Sequence, residues 1–168
     1  MAKREGLTTL CYIERDDEYL MLHRISKKND LSKDKWLGVG GHFEDNESPE
    51  ECIKREIFEE TGYHIPLENL EFRALITFIS DRGDYELMSL FTTKCPGGEP
   101  KECDEGRLEW VKKKDIYSLN LWEGDKIFFK LLEQSREFFS LKMSYDKDDK
   151  LKEAILNGKE LDKKTWLK

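Results

Sequence analysis

No apolar run in this chain approaches the roughly 20 residues that would span a bilayer, and the N-terminal stretch MAKREGLTTLCYIE offers only a strand-length apolar segment after its basic residues. Neither a membrane anchor nor a secretory signal peptide is expected. An excess of positive charge is also missing: the formal net charge is -7, which argues against nonspecific attachment to nucleic acid polymers or acidic membranes. An acidic protein still binds phosphates when a cation stands between them. The four cysteines, Cys11, Cys52, Cys95 and Cys103, form no CxxC pair and have no zinc-type histidines beside them. They read as reduced thiols of a cytoplasmic protein. No internal repeat and no Pro/Gly/Ser-rich linker divides the 168 residues, a length that suits one domain with its own core.

Alternating β-formers at Thr8–Glu14 and Tyr19–Arg24, separated by the polar RDDE turn, predict a hairpin. A basic loop, Ile25–Lys35, leads to the short extended stretch Trp36–Gly41 (WLGVGG). The strongest helix signal follows. Ser48 is a good N-cap, Pro49 suits the first helical position, Glu51 completes a capping box and Gly62 can close the C-terminus, so the spacing predicts a helix over 49–61. Ile53 and Ile57 give it a core-facing stripe. Strands are expected at 70–80, 85–93 and 107–111, a second helix at 125–139, and a hairpin from 141–145 and 151–155. Residues 158–168 read as a charged tail after a domain of residues 1–157. Strands interleaved with two helices make the fold class α/β.

The chemistry concentrates in GGHFEDNESPEECIKREIFEETGY, residues 40–63. Glu56, Glu59 and Glu60 are spaced i, i+3 and i+4, which puts them on one helix face. A solvated face would tolerate them, since each like-charge pair costs only roughly 0.2–0.5 kcal/mol. The whole pattern is more demanding. It reads G-x5-E-x7-R-E-U-x-E-E-x-G-U with U apolar, filled by Gly41, Glu47, Arg55, Glu56, Ile57, Glu59, Glu60, Gly62 and Tyr63. A chance match is on the order of one in 10⁹ per starting position from average composition.

This stretch resembles the signature of the Nudix hydrolase family. The resemblance implies the Nudix fold, an α/β/α sandwich with a mixed β-sheet, and hydrolysis of a nucleoside diphosphate linked to another group with Mg²⁺ or Mn²⁺. It implies Glu56, Glu59 and Glu60 as metal ligands with the Gly40 carbonyl beside them, and an orienting pair of Arg55 with Glu47. Glu59 stands open between ligand and general base. Carboxylates one turn apart suit Mg²⁺, which prefers hard oxygens and retains several waters. Outside the signature, Glu105 in CDEGRLEWV resembles the extra carboxylate that MutT-type members supply from a loop before a strand.

Leu121-Trp122-Glu123-Gly124-Asp125 is similar to the segment with which MutT-like oxidised purine nucleotide hydrolases hold the base. There the Trp stacks and an Asp bonds the base edge. Two departures stand out: animal-type members carry a second Asp where this chain has Gly124, and Asn where it has Leu37. Arg24 and Lys28 are candidates for meeting the triphosphate, although solvated basic side chains would look the same. The resemblance therefore implies pyrophosphohydrolysis of a (d)NTP, 8-oxo-dGTP in particular, to a monophosphate and pyrophosphate. Hydrolysis of ADP-ribose or a dinucleoside polyphosphate, and nucleotide binding without catalysis, are the alternatives.

Overall fold

The computed structural model describes residues 3–26 and 28–167; Met1, Ala2, Lys27 of the basic loop and Lys168 of the tail lie outside these. The elements run β1 (Lys3–Arg15), β2 (Glu18–His23), β3 (Trp36–Leu37), β4 (Val39–Glu44), α1 (Pro49–Thr61), β5 (Glu71–Ser80), β6 (Tyr85–Lys94), β7 (Arg107–Lys112), α2 (Asp125–Gln134), β8 (Phe139–Tyr145), β9 (Leu151–Leu156), β10 (Lys159–Glu160) and α3 (Lys163–Trp166). The strands form one sheet in the order β10-β9-β8-β5-β6-β1-β2-β3, with β4 also on β1 and β7 on β2. Pairs β1–β6 and β5–β8 are parallel and the others antiparallel, so the sheet is mixed.

Strand alternation produces the layers. Successive side chains of a strand face opposite sides. Leu10 and Tyr12 of β1, with Tyr19 and Met21 of β2, join the core formed with Ile127, Phe128 and Phe129 of α2. Cys11 and Ile13, with Leu20, join the core formed with Ile53 and Ile57 of α1. The sheet thus lies between α1 and α2, an α/β/α sandwich with β1 at its centre. Among the described residues no helix is long and apolar enough to cross a membrane.

Helix α1 begins and ends where its local signals predict. The Ser48 side chain accepts from the Glu51 N–H at 3.1 Å, and the Glu51 carboxylate accepts from the Ser48 N–H at 3.0 Å. Gly62, at φ +79°, closes the far end.

Helix α2 is shorter than expected, ending at Gln134 rather than Phe139. The cause is tertiary. Arg73 of β5, buried at 3% exposure, donates to the Leu132 and Ser135 carbonyls at 3.0 and 2.7 Å and takes up the acceptors that a longer helix would use. The Ser135 hydroxyl accepts from the Glu137 N–H, a local bond that competes with helix. Phe139 then pairs with Ala74 and opens β8. The residues after Asn157 also carry structure: β10 pairs with β9, and Leu161, Trp166 and Leu167 pack on the α2-side core.

Replacing Arg73 with Met should strand those buried carbonyls and cost about 2–4 kcal/mol of folding stability, read as a lowered urea midpoint. A midpoint equal to wild type would show that Arg73 does not cap α2.

Candidate active site

Two glycines set the approach of the acidic helix to the sheet. Gly40 lies opposite Leu10, and Gly41 opposite Thr9, in the β1–β4 pair. A Cβ on Gly40 would meet the Thr9 carbonyl oxygen at 2.0 Å, and one on Gly41 would meet Glu56 Oε1 at 2.5 Å. Absence of both side chains lets the Glu56 carboxyl rest on the β4 backbone. One turn further along α1, Glu60 Oε2 accepts from the Gly40 N–H at 2.8 Å. Its other oxygen, Oε1, is buried and receives no donor, and the Glu105 carboxyl lies beside the group.

Burial and like charge therefore act together. Burial raises the Glu60 pKa well above the carboxylate range, with Glu105 and then Glu56 adding to it and the Gly40 N–H opposing. Glu56 is raised for the same first reason, opposed by Arg55 and reinforced by Glu59 and Glu105. Carboxyls held together in a place poor in water need a proton or a cation between them. The donor set, oxygens only and negative in charge, fits a hard divalent cation.

Two arginines organise the rest. Arg55 Nε and Nη2 donate to Glu47 at 2.9 Å each, Nη1 reaches Glu56 at 2.9 Å and Glu59 at 3.2 Å, and Nη2 also donates to the His42 carbonyl at 3.0 Å. The hydrogen bond to Glu47 leads the effects that hold Arg55 protonated. Burial works against charge on Glu47, but Arg55 and the Glu44 N–H outweigh it and lower its pKa. Arg24 Nε donates to Asp30 at 2.7 Å and Nη1 to Glu105 at 3.3 Å. Among the described residues no three His, Cys, Asp or Glu side chains already surround one point. Glu56 leans to Arg55, Glu105 to Arg24, and Glu59 lies at the exposed edge.

A cavity of about 450 Å³ runs from these carboxylates into the α2-side core. Of the residues singled out in the sequence, Arg24, Leu37, Gly40, Gly41, Glu56, Glu105, Trp122 and Asp125 line it, together with Phe78. Glu47, Arg55, Glu59 and Glu60 are not part of its lining. Lys28 is exposed and outside the lining. Trp122 is only 3% exposed; it meets Phe78 and Tyr145 edge-on, donates to Ser32 Oγ at 3.0 Å, and has the Lys35 ammonium 4.7 Å from its ring centroid. The indole gives the cavity a wall.

Asp125 opens α2 from the cavity's inner end. Its Oδ2 is buried without a partner, and burial pushes its pKa to about 8, against a partial opposing pull from Lys35. Beside it, a Cβ on Gly124 would meet Met143 Sδ at 2.3 Å and the Tyr145 hydroxyl at 2.7 Å. The Tyr145 hydroxyl accepts from the Gly124 N–H at 2.8 Å. These two side chains fill the space a second acid would need, which accounts for glycine at this position. Sequence reasoning missed Thr8, His42, Glu86 and Met88 in the lining. Period-two alternation through Glu86, Met88 and Leu90 was the available signal.

Residues 4–132 match the NUDIX domain. The chain is 31% identical over 114 residues to an oxidized purine nucleoside triphosphate hydrolase of Mus musculus, covering 67% of this chain and 71% of that protein. It is 30% identical over 122 residues to an uncharacterized Nudix hydrolase of Bacillus subtilis, covering 70% and 72%. The crystal structure of a mutator MutT protein from Bacillus halodurans superposes with a TM-score of 0.76 at 29% identity, covering 90% of this chain and 97% of that one.

The Asp125 environment has a thermodynamic consequence. The folded state keeps to about pH 8 a proton that an unfolded Asp releases near 3.9. Asp125 therefore lowers folding stability progressively as pH rises from about 4 to about 8, and no further above that. Thermal midpoints at pH 5 and pH 8 should fall less in Asp125→Asn than in wild type. Parallel falls would contradict a buried, proton-retaining Asp125.

Proposed function

The chain belongs to the NUDIX domain family and is a Nudix hydrolase; from that premise we propose that it cleaves an oxidised purine (d)NTP, such as 8-oxo-dGTP, to the monophosphate and pyrophosphate with Mg²⁺ or Mn²⁺. One observation carries the reading. A single cavity joins the carboxylates Glu56 and Glu105 to an aromatic wall of Phe78 and Trp122, with the buried acid Asp125 at its inner end.

Glu56, Glu59, Glu60 and Glu105, with the Gly40 carbonyl, are the residues that would hold the ion, which when bound neutralises the diphosphate and activates water for attack on the β-phosphorus. The chain's own groups supply the rest. Arg55 fixes Glu47 and steadies Glu56 and Glu59. Glu59, the most exposed of the three signature carboxylates, takes a proton from water or serves as a ligand in this reading. Arg24 can turn from Asp30 and Glu105 to a phosphate oxygen. A protonated Asp125 both donates to a base carbonyl and accepts from a ring N–H, the pairing an oxidised purine edge offers. Leu37 adds only apolar contact to that recognition. The Mus musculus relative's description as an oxidized purine nucleoside triphosphate hydrolase supports the same substrate class.

A nucleotide panel with Mg²⁺, products separated by chromatography, tests this. Oxidised dGTP should give monophosphate and pyrophosphate faster than normal dNTPs. Two phosphorylated fragments from ADP-ribose as the main reaction would replace the substrate assignment, and tight binding without turnover would favour a non-catalytic module. Glu59→Gln alters a side chain that is 54% exposed, so it should fold normally and lose kcat by a factor of about 10² or more. Near-normal turnover would remove Glu59 from the chemistry.

A further inference from the structure

One carboxylate in the cavity has no role in the site described above. Glu86 lies on β6 opposite Phe78 of β5 and two residues before Met88, which pairs with Thr8 of β1; Thr8 in turn pairs with His42 of β4. Alternation turns Glu86, Met88 and Leu90 to the same face, and Glu86 and Met88 both line the cavity. Burial raises the Glu86 pKa, with His42 opposing, Asp84 adding, and Arg24 and Thr8 opposing. The Thr8 hydroxyl beside it is buried and makes no well-aligned hydrogen bond of its own.

This position decides what Glu86 can recognise. It borders Phe78, on the base side, and Arg24 and His42, on the phosphate side. A carboxylate repels phosphate, so the triphosphate belongs with the arginine and the cation. The aromatic wall and Asp125 already serve the base. Between a nucleotide's base and its phosphates lies the sugar, whose hydroxyls are donors that a carboxylate accepts well, as dinucleotide-binding folds use an acidic side chain on a ribose. We propose that Glu86, with the Thr8 hydroxyl, forms a sugar-hydroxyl subsite and makes the enzyme select nucleotides that keep a free 2′- or 3′-hydroxyl.

This subsite rests on the nucleotide-hydrolase reading, and the test separates the two. The kcat/KM ratio is measured for the best nucleotide of the panel against its 2′,3′-dideoxy analogue, in wild type, Glu86→Met and Glu86→Gln. Wild type should prefer the hydroxylated substrate by about tenfold to hundredfold, the range of a hydrogen bond to a charged group. Glu86→Met should bring the ratio near one, because only the hydroxylated substrate loses a partner and any effect of the lost charge on the phosphates is common to both substrates. Gln still accepts, so Glu86→Gln should keep part of the preference. A wild type indifferent to the hydroxyls, or a ratio that Met leaves unchanged, overturns the subsite alone. Should Glu86→Met fail to fold, the wild-type ratio and Glu86→Gln still decide. Absence of turnover of any nucleotide by wild type overturns both readings.

Discussion

Like charges brought together out of water are the constraint on which the rest of this molecule turns. Glu56 and Glu60 are pressed onto a strand that two glycines leave bare, and Glu105 closes on them from the loop before β7. Burial alone makes charge on these groups costly, and their proximity multiplies the cost. Arg55 and Arg24 answer part of it from opposite sides. An arrangement that opposes its own ionisation is poor design for stability and good design for holding a cation, because a divalent ion turns the repulsion among these oxygens into attraction.

The fold distributes the parts with few elements. Strand β1 lies at the centre, one face against α1 and the other against α2. Its edge contact with β4 brings the glycines to the acidic helix, and its parallel contact with β6 extends the cavity floor to Met88 and Glu86. The α2 side then contributes the inner end, where Asp125 begins the helix and Trp122 meets Phe78 and Tyr145 edge-to-face. The acidic cluster at one end of the cavity and the aromatic wall with Asp125 at the other are thus held by the same sheet.

What could be read in the sequence follows from how local each cause is. Helix α1 was legible to the residue, because its capping box, Pro49 and Gly62 are signals carried within the helix itself. The hairpin of β1 and β2 and the strands β5, β6, β8 and β9 were legible, within a residue or two at their ends except for the start of β1, which lies at Lys3 rather than Thr8. The end of α2 was not: Arg73 is distant in sequence from Leu132 and Ser135, and no pattern in 125–139 records it. In the site, the signature gave the acidic helix, and the motif around Trp122 gave residues that line the cavity. The engagement of Arg24 by Asp30 and Glu105, the cover of Lys35 over Trp122, and Tyr145 standing against Gly124 are meetings of distant segments, and only the folded chain displays them.

Glu56, Glu60 and Glu105, on this reading, together form a divalent-cation site rather than a solvated acidic face. Titration of the wild-type protein with Mn²⁺ at neutral pH, following free Mn²⁺ by its electron paramagnetic resonance signal, tests it without reference to any substrate. A saturable site whose affinity drops at least about tenfold in Glu56→Gln is expected. Mn²⁺ uptake that is unsaturable, or equally tight in wild type and Glu56→Gln, would contradict it.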